Sequence, residues 1–131
     1  MRPDFRLSLF CVAFATSLGC ATATVTLRAD DAGRVVEVPV GEPFAVELLS
    51  LPSTGYRWAP SELPGFLTHL DAMAWPTASA QSLGLVGGSH REVHQFQART
   101  AGTGALVLEQ RRPWELNAPP VETFSVTIEA K

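Results

Sequence analysis

Residues 93–110 read VHQFQARTAGTGALVLEQ, and this stretch decides the fold class. Over 93–98 the residues alternate: Val93, Gln95 and Gln97 face one way, and His94, Phe96 and Ala98 the other. A period of two is the mark of a strand with one face buried. Ala101-Gly102-Thr103-Gly104 is a turn cluster, and Ala105–Gln110 (ALVLEQ) resumes a β-type run.

The same grammar holds outward from there. Downstream, TFSVTIE (123–129) sets Phe124, Val126 and Ile128 on one face. Upstream, Thr24–Arg28 alternates, and Asp30-Asp31-Ala32-Gly33 turns the chain. Val35, Val36, Val38 and Val40 then run to a break at Gly41-Glu42-Pro43. Phe44–Leu49 (FAVELL) is a dense run, and Tyr56–Trp58 opens a strand that Ala59-Pro60 is expected to end. Phe66–Leu70 and Ala72–Trp75 are strand pieces around a kink. No apolar stripe of helical period extends over twelve residues after residue 24. Seven to eight short strands spaced by turns predict an all-β, immunoglobulin-like β-sandwich. A Cys…Trp…Cys pattern of the antibody type is lacking.

The chain has 131 residues, enough for one domain. Ten Lys+Arg stand against thirteen Asp+Glu, a formal net charge of −3, and Lys131 is the single lysine. A weakly acidic chain without a basic block argues against nucleic acid as a partner.

Residues 1–23 read as a signal peptide. Arg2 and Arg6 precede an uncharged apolar run (LSLFCVAFATSL, 7–18), too short to span a bilayer, which needs about 20 residues. Small residues follow. Ala21-Thr22-Ala23 is an A-x-A site that would release a domain over 24–131. Ser17-Leu18-Gly19-Cys20 resembles a lipoprotein box with Ser17 and Leu18 in swapped order; cleavage after residue 19 would leave Cys20 lipidated. Either route predicts export, to the periplasm or beyond the cell. Cys11 and Cys20 are the only cysteines, so the domain from Thr24 on has no internal disulfide.

Catalytic and metal patterns are weak. His90 and His94 are spaced i, i+4, but on a strand they lie about 13 Å apart, too far to share an ion. They are expected to be solvated, with no metal. The chain has no G-x-S-x-G elbow, Walker loop or G-x-G-x-x-G. An enzyme is not expected, nor a cofactor.

Three loop segments remain. Leu51-Pro52-Ser53-Thr54-Gly55-Tyr56 joins two strands, with Pro52 fixing φ and Gly55 permitting a positive one. Leu85-Val86-Gly87-Gly88-Ser89-His90 is apolar, then glycine-rich. Arg112-Pro113-Trp114-Glu115 follows a strand, and Trp and Arg are enriched at binding hot spots. Tyr56 is read as support for the loop base, Trp58 as core, and Trp75 as core or edge packing.

Together, LPSTGY (51–56), VGGSH (86–90) and RRPWE (111–115) resemble the chagasin family, protein inhibitors of papain-like cysteine peptidases. That family has an N-P-T-T-G-[YF] loop, a G-x-G-G or G-x-P-G loop and an R-P-[WF] loop, in this order. Leu51 stands where Asn is usual, Ser53 where Thr is usual, and Gly88-Ser89 where a motif glycine or proline is usual. The resemblance covers 24–131. It implies a reversible, tight-binding inhibitor that enters the peptidase cleft as a wedge. Leu51, Pro52, Ser53, Thr54, Gly55 and Tyr56 would form the first loop, over the catalytic centre. Leu85, Val86, Gly87, Gly88 and Ser89 would lie on one wall, and Arg112, Pro113 and Trp114 on the other. A monomer is expected, although an exposed edge strand could pair. The alternative is an exported β-sandwich binding module that recognises another envelope protein or a carbohydrate. A third reading, a purely structural envelope domain, predicts no tight peptidase binding.

Overall fold

A computed structural model describes residues 24–84 and 88–131. Eight strands form two four-stranded sheets. They are β1 (Thr26–Arg28), β2 (Val35–Val38), β3 (Pro43–Ser50), β4 (Arg57–Glu62), β5 (Leu67–Pro76), β6 (His90–Ala98), β7 (Gly102–Arg111) and β8 (Glu122–Ala130). One sheet has the order β1-β3-β6-β5, the other β2-β8-β7-β4. The pairs β1–β3 and β2–β8 are parallel; the rest are antiparallel.

The alternation predicted for residues 93–98 and 123–129 is the alternation observed. On β6, Glu92, His94, Phe96 and Ala98 face inward; on β8, Phe124, Val126, Ile128 and Ala130 do. Phe96 is 0% exposed and stacks on Phe44, ring centroids 5.7 Å apart. Leu106 and Leu108 from β7 and Ile128 from β8 meet that layer from the second sheet. Each such side chain contributes about 1.5–3 kcal/mol by leaving water, and with no disulfide in the domain this burial has to carry the fold.

Four features depart from the sequence reading. First, β4 continues through Pro60 to Glu62, with a bulge between Pro60 and Glu62. β4 is an edge strand, where a residue without an N–H is tolerated. Second, the two pieces around residue 71 are one strand, β5; the kink is a bulge between His69 and Asp71. Third, Gly102 and Gly104 belong to β7 rather than to the turn. A Cβ at Gly102 would come within 2.7 Å of the Phe66 ring, so the glycine admits that ring against the strand. Fourth, His94 is not solvated: it is 2% exposed, stacked with His69 and bonded to Glu92. Its place on the inward face of β6 buries it, and Glu92, two residues earlier on the same face, gives it a partner. His90 is half-buried at the start of the strand.

Trp58 is core, 6% exposed, and joins the two sheets. Its backbone N–H donates to both oxygens of Glu92, at 3.2 and 3.4 Å, and its indole Nε1–H donates to the Leu49 carbonyl at 2.9 Å. Trp75 lies on the edge strand β5 and is exposed.

Phe96→Ala should cost about 3–5 kcal/mol in urea unfolding, whereas Gln95→Ala, one residue away on the opposite face, should stay within about 0.5 kcal/mol. Similar losses for both would contradict the assigned faces.

Candidate functional site

Strand direction decides where the loops go. β3 ends at Ser50, opposite His90, and β5 ends at Pro76, also opposite His90. In the second sheet β4 begins at Arg57, opposite Arg111, where β7 ends. The connections 51–56, 77–89 and 112–121 therefore all leave from one pole of the sandwich. The topology brings the first and third segments singled out in the sequence, and the described base of the second (Gly88, Ser89 and His90), to a common end.

The first loop is a single tight turn. Pro52–Thr54 form a 3₁₀ turn, and Gly55 ends it at φ +81°. Thr54 closes the turn twice: its backbone N–H reaches the Leu51 carbonyl at 3.0 Å and its Oγ1 donates to the same oxygen at 2.6 Å. Gly55 N–H donates to the Pro52 carbonyl at 3.0 Å. The Leu51 side chain, 48% exposed, takes no part in this closure; the threonine hydroxyl performs it. Ser53 and Thr54 are exposed, and Pro52, Gly55 and Tyr56 are half-buried.

The third loop rests on the first. Arg112 Nε donates to the Thr54 carbonyl at 2.9 Å, and its guanidinium carbon lies 4.5 Å from the centre of the Tyr56 ring. Glu115 holds the other side of that guanidinium, Oε1 to Nη1 at 3.2 Å. Trp114 lies across Gly55, so closely that a Cβ there would collide with its ring, yet it is 68% exposed. Pro113 is exposed beside it. Arg111, pinned to Glu109 at 2.8 Å and to the Ala118 carbonyl at 2.6 Å, anchors the far limb of the loop. Tyr56 thus supports the loop base as the sequence suggested, through a cation–π contact.

Of the second loop, Leu85, Val86 and Gly87 lie outside the described residues. Its base is closed by Thr77, whose N–H donates to the Ser89 carbonyl at 3.0 Å and whose hydroxyl meets the Ser89 hydroxyl at 3.1 Å. Thr77 also caps a short helix, α1 (Ala78–Ser82). Gly88 and Ser89 are half-buried, and Ser89 lines one open cleft with Leu51, Thr54, Tyr56 and Val121. The base of the second loop therefore adjoins the first.

Two contributors escaped the sequence reading. Glu115 stood inside the RRPWE motif, three residues after Arg112, a spacing that suits an ion pair across a turn. Thr77 had no such signal, since its partner is twelve residues away. Among the described residues no group of three His, Cys, Asp or Glu side chains is placed to hold a metal. Arg112, Glu115 and Tyr56 are the ionisable side chains in 51–56 and 112–115, and the first two are engaged with each other.

The braced loops stand at one pole of the β-sandwich, and comparison with known proteins gives the family. The chain is similar in structure to the cysteine protease inhibitor EhICP2 from Entamoeba histolytica, with a TM-score of 0.70 and 20% identity over 82% of this chain and 96% of that one. It is similar to amebosin, with a TM-score of 0.64 and 24% identity over 83% and 99% of the two chains. It also resembles PbICP-C, whose structure was solved in complex with falcipain-2, with a TM-score of 0.52 and 18% identity over 82% and 99%. No curated protein sequence matches the chain. The family model described as "Chagasin family peptidase inhibitor I42" matches residues 37–128. The protein belongs to the chagasin family of peptidase inhibitors and is not an enzyme.

Gly55→Ala is expected to destabilise the chain by about 1–2 kcal/mol, because the new methyl group meets both a left-handed φ and the Trp114 ring. The Trp114 indole resonance should shift in a ¹⁵N–¹H spectrum while that of Trp58 stays. An unmoved Trp114 signal would contradict the contact.

Proposed function

We propose that the protein is a reversible, tight-binding inhibitor of papain-like cysteine peptidases that fills the catalytic cleft with residues 51–56, 85–90 and 111–115. The observation that carries this reading is the contact between loops: an exposed Trp114 laid over Gly55 and an Arg112 bonded to the Thr54 carbonyl make one preformed projection from two distant segments. EhICP2 is a cysteine protease inhibitor and PbICP-C was seen bound to falcipain-2; both share this fold, which supports the same target class here.

Occlusion requires that the loop resist the thiolate it covers. Three of its carbonyls already have internal donors: Leu51 from Thr54, Pro52 from Gly55, and Thr54 from Arg112. A carbonyl held by such bonds cannot turn into an oxyanion hole without losing them, each worth about 0.5–1.5 kcal/mol. Preformed loops also lose little conformational freedom on binding. An interface of standard size, about 1,600 Å² in total, suits such a wedge. Trp114 acts as its anchor, with Pro52, Ser53, Thr54 and Gly55 over the catalytic centre, and Leu85 to Ser89 along one wall. The exposed tryptophan beside the first loop favours this reading over a carbohydrate-binding face. The leader reading of residues 1–23 puts the inhibitor outside the cytoplasm, in the periplasm or secreted, soluble or tethered through a lipid on Cys20.

The test is titration of papain and a cathepsin L-type peptidase with the chain, followed with a fluorogenic peptide. Inhibition should be reversible on dilution and leave the inhibitor uncut on a gel. Trp114→Ala should weaken it by about 30-fold or more, the size of a hot-spot loss, without lowering the melting temperature. Thr54→Ala should weaken it as well, and should expose the loop to cleavage. Absence of inhibition by folded chain at micromolar concentration would overturn the proposal.

A further inference from the structure

A line of polar groups starts just beneath the loop pole and runs down into the first sheet, ending at His69 opposite Phe96. It begins at the Trp58 N–H on β4, passes to Glu92 on β6, then from Glu92 Oε1 to His94 Nε2 at 3.2 Å, and from His94 Nδ1 to His69 Nε2 on β5 at 3.2 Å. Glu92 and His94 are buried; His69 is half-buried, and its ring stacks on both His94 and Phe96. Apolar packing alone does not call for titratable groups here. A core of this size could have been apolar throughout, and a buried carboxyl is costly unless its partners are in place.

With Glu92 as a carboxylate, each bond direction follows. Glu92 then accepts from Trp58 and from His94, so His94 Nε2 carries hydrogen. A neutral His94 then has a bare Nδ1, and His69 Nε2–H must donate to it. Only one hydrogen fits between the two rings. His69 can take a proton on its other nitrogen without breaking the line; a proton on His94 Nδ1 as well would set two N–H groups against each other. The surroundings supply few other charges. On β5, Asp71 favours a charged His69. On β3, Leu48 and Val46 stand opposite Glu92 and His94, while Glu47 is turned outward to Arg91. On β4, Arg57 is exposed, and β7 sends Leu106, Leu108 and Gln110 inward. Burial first, and then His94, hold His69 below the usual histidine range, against the pull of Asp71.

We propose that the Glu92–His94–His69 line is an acid-sensitive latch that braces the loop-bearing end of the sandwich at neutral pH and loosens it when acid forces a second hydrogen between the two stacked rings. Its connection to the loops is Trp58. That residue bonds Glu92 through its backbone and Leu49 through its indole, and so fixes both flanks of residues 51–56. The inference concerns the scaffold's response to acid and stands whether or not the loops occupy a peptidase.

The sign follows from His69. Its affinity for protons is lower folded than unfolded, so the unfolded chain takes up more protons as pH falls through the ordinary histidine value of about 6.5. Stability is fully present above that pH and declines below it. Thermal unfolding of the full chain from pH 7.5 to 4.5 should therefore show a steeper fall in melting temperature than His69→Gln, which keeps a donor nitrogen but binds no proton. The two curves should run parallel above about pH 6.5 and diverge below it. In the wild-type chain, the Trp58 amide and indole resonances should move in step with the His69 ring signals. Equal pH slopes in the two proteins would overturn the latch, and so would Trp58 resonances that stay fixed while His69 titrates.

Discussion

Trp58 is the residue on which the working end depends. A sandwich is held mainly by side chains that pack without direction, and two such sheets can slide or part at an edge at modest cost. Here the backbone N–H of an edge strand crosses the layer to a buried carboxylate, and the indole of the same residue crosses to a carbonyl of the opposite sheet. The bond to Glu92 is buried, where an unmet partner is expensive, and the bond to Leu49 is partly so. They also flank the 51–56 turn on its two sides. The spacing of the sheets under the loops is thereby tied to hydrogen-bond lengths, which tolerate far less variation than apolar contact does.

Above that base the loops hold each other. Arg112 satisfies the first loop's carbonyl, lies on its tyrosine and is restrained in turn by Glu115. The outcome is a projection whose polar groups are largely engaged internally while its apolar surface, Trp114 and Leu51, stays exposed. This is an unusual distribution for a protein surface, and it is the distribution a partner can cover without stripping many hydrogen bonds from water. The departure at Leu51 fits it. A side chain that cannot brace the turn adds apolar area there, and the Thr54 hydroxyl does the bracing.

Much of this was legible in the sequence because it is local. Period-two alternation on β6 and β8, the turn clusters, and the Pro52–Gly55 pair each express a constraint acting within a few residues. The three loops were legible as motifs, and strand direction then placed them together. What was hidden depends on distant partners. β4 runs past Pro60 because β4 is an edge, a property of the sheet rather than of the residue. His94 was assigned to the face of Phe96 and Ala98 by alternation and to solvent by its chemistry. The face prevailed because Glu92 and His69 supply partners, the latter from another strand. Glu115 was within reach of a sequence argument; Thr77, closing a loop against Ser89, was not.

The parallel pairing of β1 with β3 has a geometric consequence. Thr26 is in register with Ala45, near the beginning of a strand that ends at the first loop, and Ala130 is in register with Gly102, where β7 starts its run toward the third. Thr26 and Ala130 therefore both lie toward the pole opposite the loops. A fusion after residue 131 would orient the molecule with its projection pointing outward from the support. Immobilisation through the C-terminus leaves the working end open to large partners in solution.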